Sequence, residues 1–186
     1  MGISQYHLNY SRDEDRIYIF VRDSKTTEHA FGLTRQLFKK LWPVLGKTVQ
    51  DMSETVAKAV PEAQKDVLQM EQEGAVSVAR QDGSLSSKTL PKVERRMSYL
   101  VTTIRIRNAP AAADGSPGGK ILTLTDGKQA MNIPISHDRL IIFCDALKSL
   151  VASSDWDIKP LYPWEEPADD SVAEPAAATD SEPTRH

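Results

Sequence analysis

Residues 120–151, KILTLTDGKQAMNIPISHDRLIIFCDALKSLV, decide the fold. Two β-favouring runs, 120–125 and 128–135, flank Asp126-Gly127, a dipeptide suited to a two-residue hairpin turn. Ser136 stands where a helix N-cap belongs. Behind it Leu140, Phe143, Cys144, Leu147, Leu150 and Val151 recur at helical spacing, which predicts a helix ending near Ser153 with one apolar face.

Working upstream, 108–119 (NAPAAADGSPGG) reads as a flexible loop, and 97–107 (MSYLVTTIRIR) as one strand. Strict alternation puts Leu100, Thr102, Ile104 and Ile106 on one face of that strand. Tyr99, Val101, Thr103, Arg105 and Arg107 fall on the other. Residues 83–92 (GSLSSKTLPK) form a polar linker. Ahead of it, 49–79 is an amphipathic helical stretch in two pieces, with Val49, Met52, Val56 and Val60 and then Val67, Met70 and Ala75. Pro61 opens the second piece. Thr34 is a second N-cap, followed at helical spacing by Leu37, Phe38, Leu41, Val44, Leu45 and Thr48. Pro43 is expected to kink or break that helix near Trp42. The first 33 residues read as three strands. Tyr6, Leu8 and Tyr10 alternate in the first; RIYIFV, residues 16–21, is the second; and 28–33 is a short third.

Both ends of the body thus show three strands and a capped helix, over 4–48 and 97–153. At the same offset from Thr34 and Ser136, Phe38 matches Leu140, Leu41 matches Phe143, and Leu45 matches Leu147. The expected fold class is α+β: an antiparallel sheet from two βββα-like halves, a pseudo-duplication, with both helices on one face. In domain terms, 1–159 is a single α+β domain. It comprises a first half (1–48), a helical insertion and linker (49–96) and a second half (97–159). Residues 160–186 are expected to form a disordered acidic, Pro-rich tail.

The charge is segregated. The chain of 186 residues carries a formal net charge of −3. Residues 160–186 hold seven carboxylates, five prolines and one arginine. Without them, 22 basic and 19 acidic residues remain. A tail of about −6 therefore follows a body of about +3. Trp156, Tyr162 and Trp164 lie just before or within the start of that tail. They either fold back onto the body or form a short motif for another protein.

A lone Cys144 excludes a disulfide framework and any Cys-based zinc finger. No apolar run approaches the roughly 20 residues that span a bilayer, and the N-terminus shows no secretory pattern. A cytoplasmic protein without membrane attachment is expected. The spacings GxGxxG after a strand, GxxxxGK[ST], GxSxG, HExxH and CxxC are all absent. The histidines at 7, 29, 137 and 186 share no ligand spacing, and His137 reads as a surface residue. Asp13-Glu14-Asp15 reads as a solvated turn. No cofactor, metal or catalytic residue is nominated, and the protein is not expected to be an enzyme.

Two functions follow as expectations. The first is an interaction or adaptor protein, self-associating as a homodimer, that binds protein partners through its helical segment and through Trp156, Tyr162 and Trp164. The second is a single-stranded nucleic-acid binder with an autoinhibitory acidic tail. Its face would be Arg16, Tyr18, Phe20 and Arg22 on the second strand and Arg105 and Arg107 on the fourth, because rings stack on bases while cations neutralise phosphates. In topology, strands followed by a helix, twice over, is similar to the PUR-repeat and Whirly-type single-strand binders. Those families place four strands in each unit where three are read here, and no residue is carried over from them.

Overall fold

The computed structural model describes residues 5–22, 27–81, 95–110 and 119–165. The expectations for the 83–92 linker, for most of the 108–119 loop and for the tail beyond residue 165 lie outside the described residues. The chain is of mixed α+β class. Strands β1 (Gln5–Ser11), β2 (Arg16–Arg22) and β3 (Thr27–Leu33) precede helix α1 (Arg35–Met52). A short α2 (Glu54–Lys58), a 3-10 turn (Pro61–Ala63) and α3 (Gln64–Gln81) follow. Then come β4 (Arg95–Leu100), β5 (Thr103–Asn108), β6 (Lys120–Thr125), β7 (Ala130–Ile135) and α4 (His137–Ala152).

The expected single sheet is two. One has four strands in the order β1-β2-β3-β4, and the other has three in the order β5-β6-β7. The β1-β2-β3 and β5-β6-β7 meanders are antiparallel, whereas β4 pairs parallel to β3. The expected strand 97–107 is split between the sheets at two residues. Val101 donates its N–H to the Gly32 carbonyl at 3.0 Å, and Thr102 donates to Thr125 at 2.9 Å. Val101 is buried, Thr102 and Thr103 are both exposed, and Ile104 and Ile106 are half-buried. Two consecutive outward residues reverse the phase of the alternation, as an extra residue in a strand does. Tyr99 therefore faces the core, stacked on Phe31 at 5.1 Å between ring centres. It does not share a face with Arg105 and Arg107, contrary to the uninterrupted alternation. The hairpin loop is also longer than expected. Register pairs Thr125 with Ala130, so residues 126–129 form the loop, with Gly127 at φ +95°.

The core lies under the inner face of the first sheet. Ile17, Ile19 and Val21 of β2 are fully buried there beside Phe31 and Leu33. α1 adds Phe38, Leu41, Trp42 and Leu45, and α4 adds Leu140, Phe143, Cys144 and Leu147. Tyr6 meets Phe143 edge-on at 5.7 Å and gives its hydroxyl to the Arg139 carbonyl. Leu122, Leu124, Ile133 and Ile135 of the second sheet join the same cluster. So do Val56, Leu68 and Val76, so the segment between the halves is part of the core rather than an appendage.

Pro43 does not break α1, which runs unbroken from Arg35 to Met52. Pro43 sits on the exposed side of the helix, where the carbonyl that loses its donor can turn to water. The two caps differ. The Thr34 hydroxyl accepts from Leu37 N–H at 3.2 Å, whereas the Ser136 side chain makes no capping bond. Ser53 caps α2 by accepting from Val56 N–H at 3.0 Å and donates to Glu71 of α3 at the same distance. One hydroxyl thereby stabilises a helix start, at about 1 kcal/mol, and ties two helices together.

Candidate functional site

The nucleic-acid face expected on β2 is present as a geometric face but already has partners. Register places Arg16, Tyr18, Phe20 and Arg22 on the outer side of the first sheet. Asn9 and His7 lie beside them on β1, with Glu28, Ala30 and Gly32 on β3 and Arg96, Ser98 and Leu100 on β4. Phe20 is only 8% exposed. Its ring stacks on His7 at 4.5 Å with the planes 4° apart, and the Arg96 guanidinium lies 5.0 Å from its centre. A base stacking on Phe20 would have to replace those contacts.

The cations are paired as well. Glu28 is 2% exposed and receives Arg22 at 3.3 Å and Arg96 at 2.8 Å. A carboxylate buried to that degree persists because two guanidinium groups compensate its lost hydration. Glu14, in the β1–β2 turn, accepts from Arg16 at 3.3 Å and also from the Tyr18 hydroxyl, and the latter bond pushes the phenol pKa up. The His7 pKa is lowered, first by burial of the ring and further by Arg22 and Arg96, against the opposing pull of Glu28. Most of the rings and charges of this outer face therefore bind one another, while Leu100 of β4 stays 44% exposed on it. From sequence, Arg96 counts only as general positive charge ahead of the fourth strand, and Glu28 is not singled out. The nearest signal was an acidic residue in an otherwise apolar strand, across a short turn from Arg22.

Arg105 and Arg107 belong to the second sheet instead. Both are exposed, opposite Thr123 and Ile121. Neither side chain makes an ion pair or hydrogen bond within the described residues. The six residues proposed as one nucleic-acid face thus divide between two sheets, with aromatic rings on only one of them.

Trp156, Tyr162 and Trp164 are 1%, 2% and 7% exposed, folded back onto the body of this chain. This also corrects the boundary of the expected disordered tail, because residues 160–165 are packed on the body. Trp156 lies against Tyr10 and Phe38, and its indole N–H donates to Asp15 at 2.6 Å. Asp15 also accepts from Tyr10 and lies 3.8 Å from Arg35. The Asp13-Glu14-Asp15 turn therefore directs two of its carboxylates to the protein itself. Tyr162 packs between Trp42, at 5.0 Å, and Trp164, at 4.7 Å.

The helical insertion turns one side of α3 inward through Leu68, Val76 and Ala79. The opposite side shows Met70 at 72% and Val78 at 61% exposure. Gly74 lies between them at i+4 spacing, with nothing within 4 Å of where a Cβ would stand. Val67 continues the line, half-buried. A shallow cleft of about 400 Å³ beside α3 is lined by Gln72, Glu73, Val76, Ser77, Arg80 and Asp145, with no nucleophile–base pair among them.

No group of three or more metal-ligating side chains occurs among the described residues, and none of their helices is long and apolar enough to cross a membrane. Cys144 is fully buried, and burial pushes its thiol pKa up. His137, expected at the surface, is half-buried with Nε2 4.0 Å from Glu71 Oε2. No family model, curated protein or solved structure matches this chain.

Proposed function

We propose that this chain is a non-enzymatic interaction protein that self-associates through α3. The observation that carries this reading is the exposed line Val67, Met70, Gly74 and Val78 on a helix whose other side is anchored in the core. A second copy of α3 fits it. Antiparallel pairing centred on Gly74 sets Met70 of each copy against Val78 of the other, and the bare glycine lets the backbones approach closely. The same pairing brings Asp66, in the first turn of α3, near Arg80, in the last turn of the other copy. The two helix dipoles also oppose favourably. Only two large apolar side chains per copy would be newly buried, at about 1.5–3 kcal/mol each, against a substantial cost of association. A reversible dimer with micromolar or weaker affinity is expected.

Sedimentation of the full chain from about 1 to 500 µM tests this against the scales of association free energy. The expected result is a concentration-dependent dimer that the pair Met70→Glu and Val78→Glu abolishes. Melting should be nearly unchanged, because both side chains are exposed. A monomer throughout, or a dimer indifferent to that pair, would overturn the proposal.

A second reading keeps the single-stranded nucleic-acid function but moves its cations. The side chains of Arg105 and Arg107 are exposed and without a bond among the described residues, unlike those of Arg16 and Arg22. Backbone contacts from two arginines without stacking rings support weak, sequence-independent binding. Fluorescence anisotropy with labelled single-stranded DNA and RNA checks it. Replacing both arginines with alanine should flatten the salt dependence by about 1–2 in log–log slope.

A further inference from the structure

We propose that the groove formed by α1, α3 and α4 is a recognition site for the segment 160–165 (PLYPWE), and that it accepts this segment from a second copy of the chain as well as from its own. In this structure the groove is filled in cis, and the fit is specific. The Trp42 indole N–H donates to the Leu161 carbonyl at 2.7 Å, and the Trp164 indole N–H donates to Gln72 Oε1 at 3.2 Å. Lys148 pairs with the Glu165 carboxylate and lies 5.0 Å from the centre of the Tyr162 ring. Pro163 occupies a notch that exists because residue 46 has no side chain. A Cβ there would stand 2.6 Å from Pro163 Cδ.

Tyr162 and Trp164 are buried in the apolar cluster, and directed polar contacts of the kind that bind peptides hold the same segment. The segment belongs to no helix or sheet. It carries a turn of its own, because Tyr162 N–H donates to the Glu165 carboxylate at 2.8 Å and Glu165 N–H donates to the Tyr162 carbonyl at 3.0 Å. Groove side chains then read its backbone, rings and terminal charge. Trp156 is held separately, by Asp15, Tyr10 and Phe38, while Tyr162 and Trp164 join the apolar cluster through Trp42 and each other. In the connection Asp157, at φ +48°, and Lys159 are exposed, whereas Ile158 packs partly against the core. A short tether gives the cis segment an effective concentration in the millimolar range, so a trans segment enters only where the cis one is disabled.

Two full-length variants test exchange, each also carrying Met70→Glu and Val78→Glu so that α3 association does not contribute. In one, Gly46→Leu blocks the groove and leaves the segment intact. In the other, Tyr162→Ser with Trp164→Ser disables the segment and leaves the groove intact. Each alone should be monomeric, and an equimolar mixture at about 50 µM should form a 1:1 heterodimer by light scattering. In a second measurement, a fluorescein-labelled peptide of residues 158–165 should bind the segment-disabled variant saturably. Adding Gly46→Leu to that variant, or replacing the peptide's Glu165 with Lys, should weaken binding at least about tenfold. Absence of both heterodimer and peptide binding up to about 1 mM, with circular dichroism showing folded variants, would overturn the proposal. So would unfolding of the segment-disabled variant, because a removable ligand must leave the body folded. Failure of α3 to dimerise leaves these outcomes unaffected.

Discussion

Glu28→Ala removes the carboxylate on which two arginines converge, and the structure ranks the consequences. Glu28 is 2% exposed, Arg22 is 11% exposed and Arg96 is 55% exposed on their side chains. Breaking a buried pair by deleting one partner typically costs about 3–5 kcal/mol, because the remaining charge loses hydration without compensation. Here the partner held away from water is mainly Arg22, which keeps a further interaction of its own, and Arg96 can turn to water. The lower end applies, about 3 kcal/mol, which corresponds to a fall in Tm of roughly 6–12 °C for a domain of this size. Urea unfolding followed by tryptophan fluorescence measures it. Double-mutant cycles then separate the two partners. Coupling of Glu28 with Arg22 is expected at about 1.5–3 kcal/mol, as for a desolvated charged hydrogen bond. Coupling with Arg96 is expected at about 1 kcal/mol or less, because solvent screens the exposed guanidinium despite its shorter distance. A loss below about 1 kcal/mol for Glu28→Ala, or a larger coupling to Arg96 than to Arg22, would refute the argument that burial rather than distance sets the strength of these pairs.

Two further outcomes follow from shifted titrations. Cys144 is fully buried with its thiol pKa raised, so it should resist a thiol-specific reagent in native buffer at pH 8 and react on unfolding. Rapid labelling of the folded chain would contradict its placement. His7 has a folded-state pKa below the ordinary 6.5, so as pH falls the unfolded chain takes up the proton first. Its contribution to stability is complete above pH 6.5 and is lost as pH falls through the depressed folded value. His7→Gln should therefore lose less of its urea midpoint than the parent chain between pH 7.5 and pH 5, and equal losses would contradict the shift.

Local chemistry made much of the architecture readable. The alternation of Ile17, Ile19 and Val21, and the 3–4 spacing of Leu140, Phe143, Cys144 and Leu147, each mark a buried face because side-chain direction follows backbone period. Thr34 and Ser136 mark helix starts because a hydroxyl there can satisfy an orphan N–H, although only Thr34 makes that bond. The two βββα units, the helical segment between them and the mixed class all come from such short-range rules. The candidate surfaces were less legible. Arginines and rings on β2 have the same residue types whether they face a ligand or one another, and Glu14, His7 and Glu28, the last 68 residues from Arg96, decided which.

What the amino-acid sequence determined by itself is therefore the order and type of the elements, since these depend on neighbours within a turn or two. What only the tertiary structure decided depends on contacts between distant segments. The reversal of alternation at Thr102–Thr103 follows from the chain pairing first with β3 and then with β6. The intact α1 depends on Pro43 facing water rather than the core. The Pro-rich start of the tail packs because Trp42, Gly46, Gln72 and Lys148, far apart along the chain, together form a groove shaped to residues 160–165. Composition alone cannot reveal such a groove, because the apolar burial that offsets the entropy of ordering a proline-rich segment is contributed by other parts of the chain.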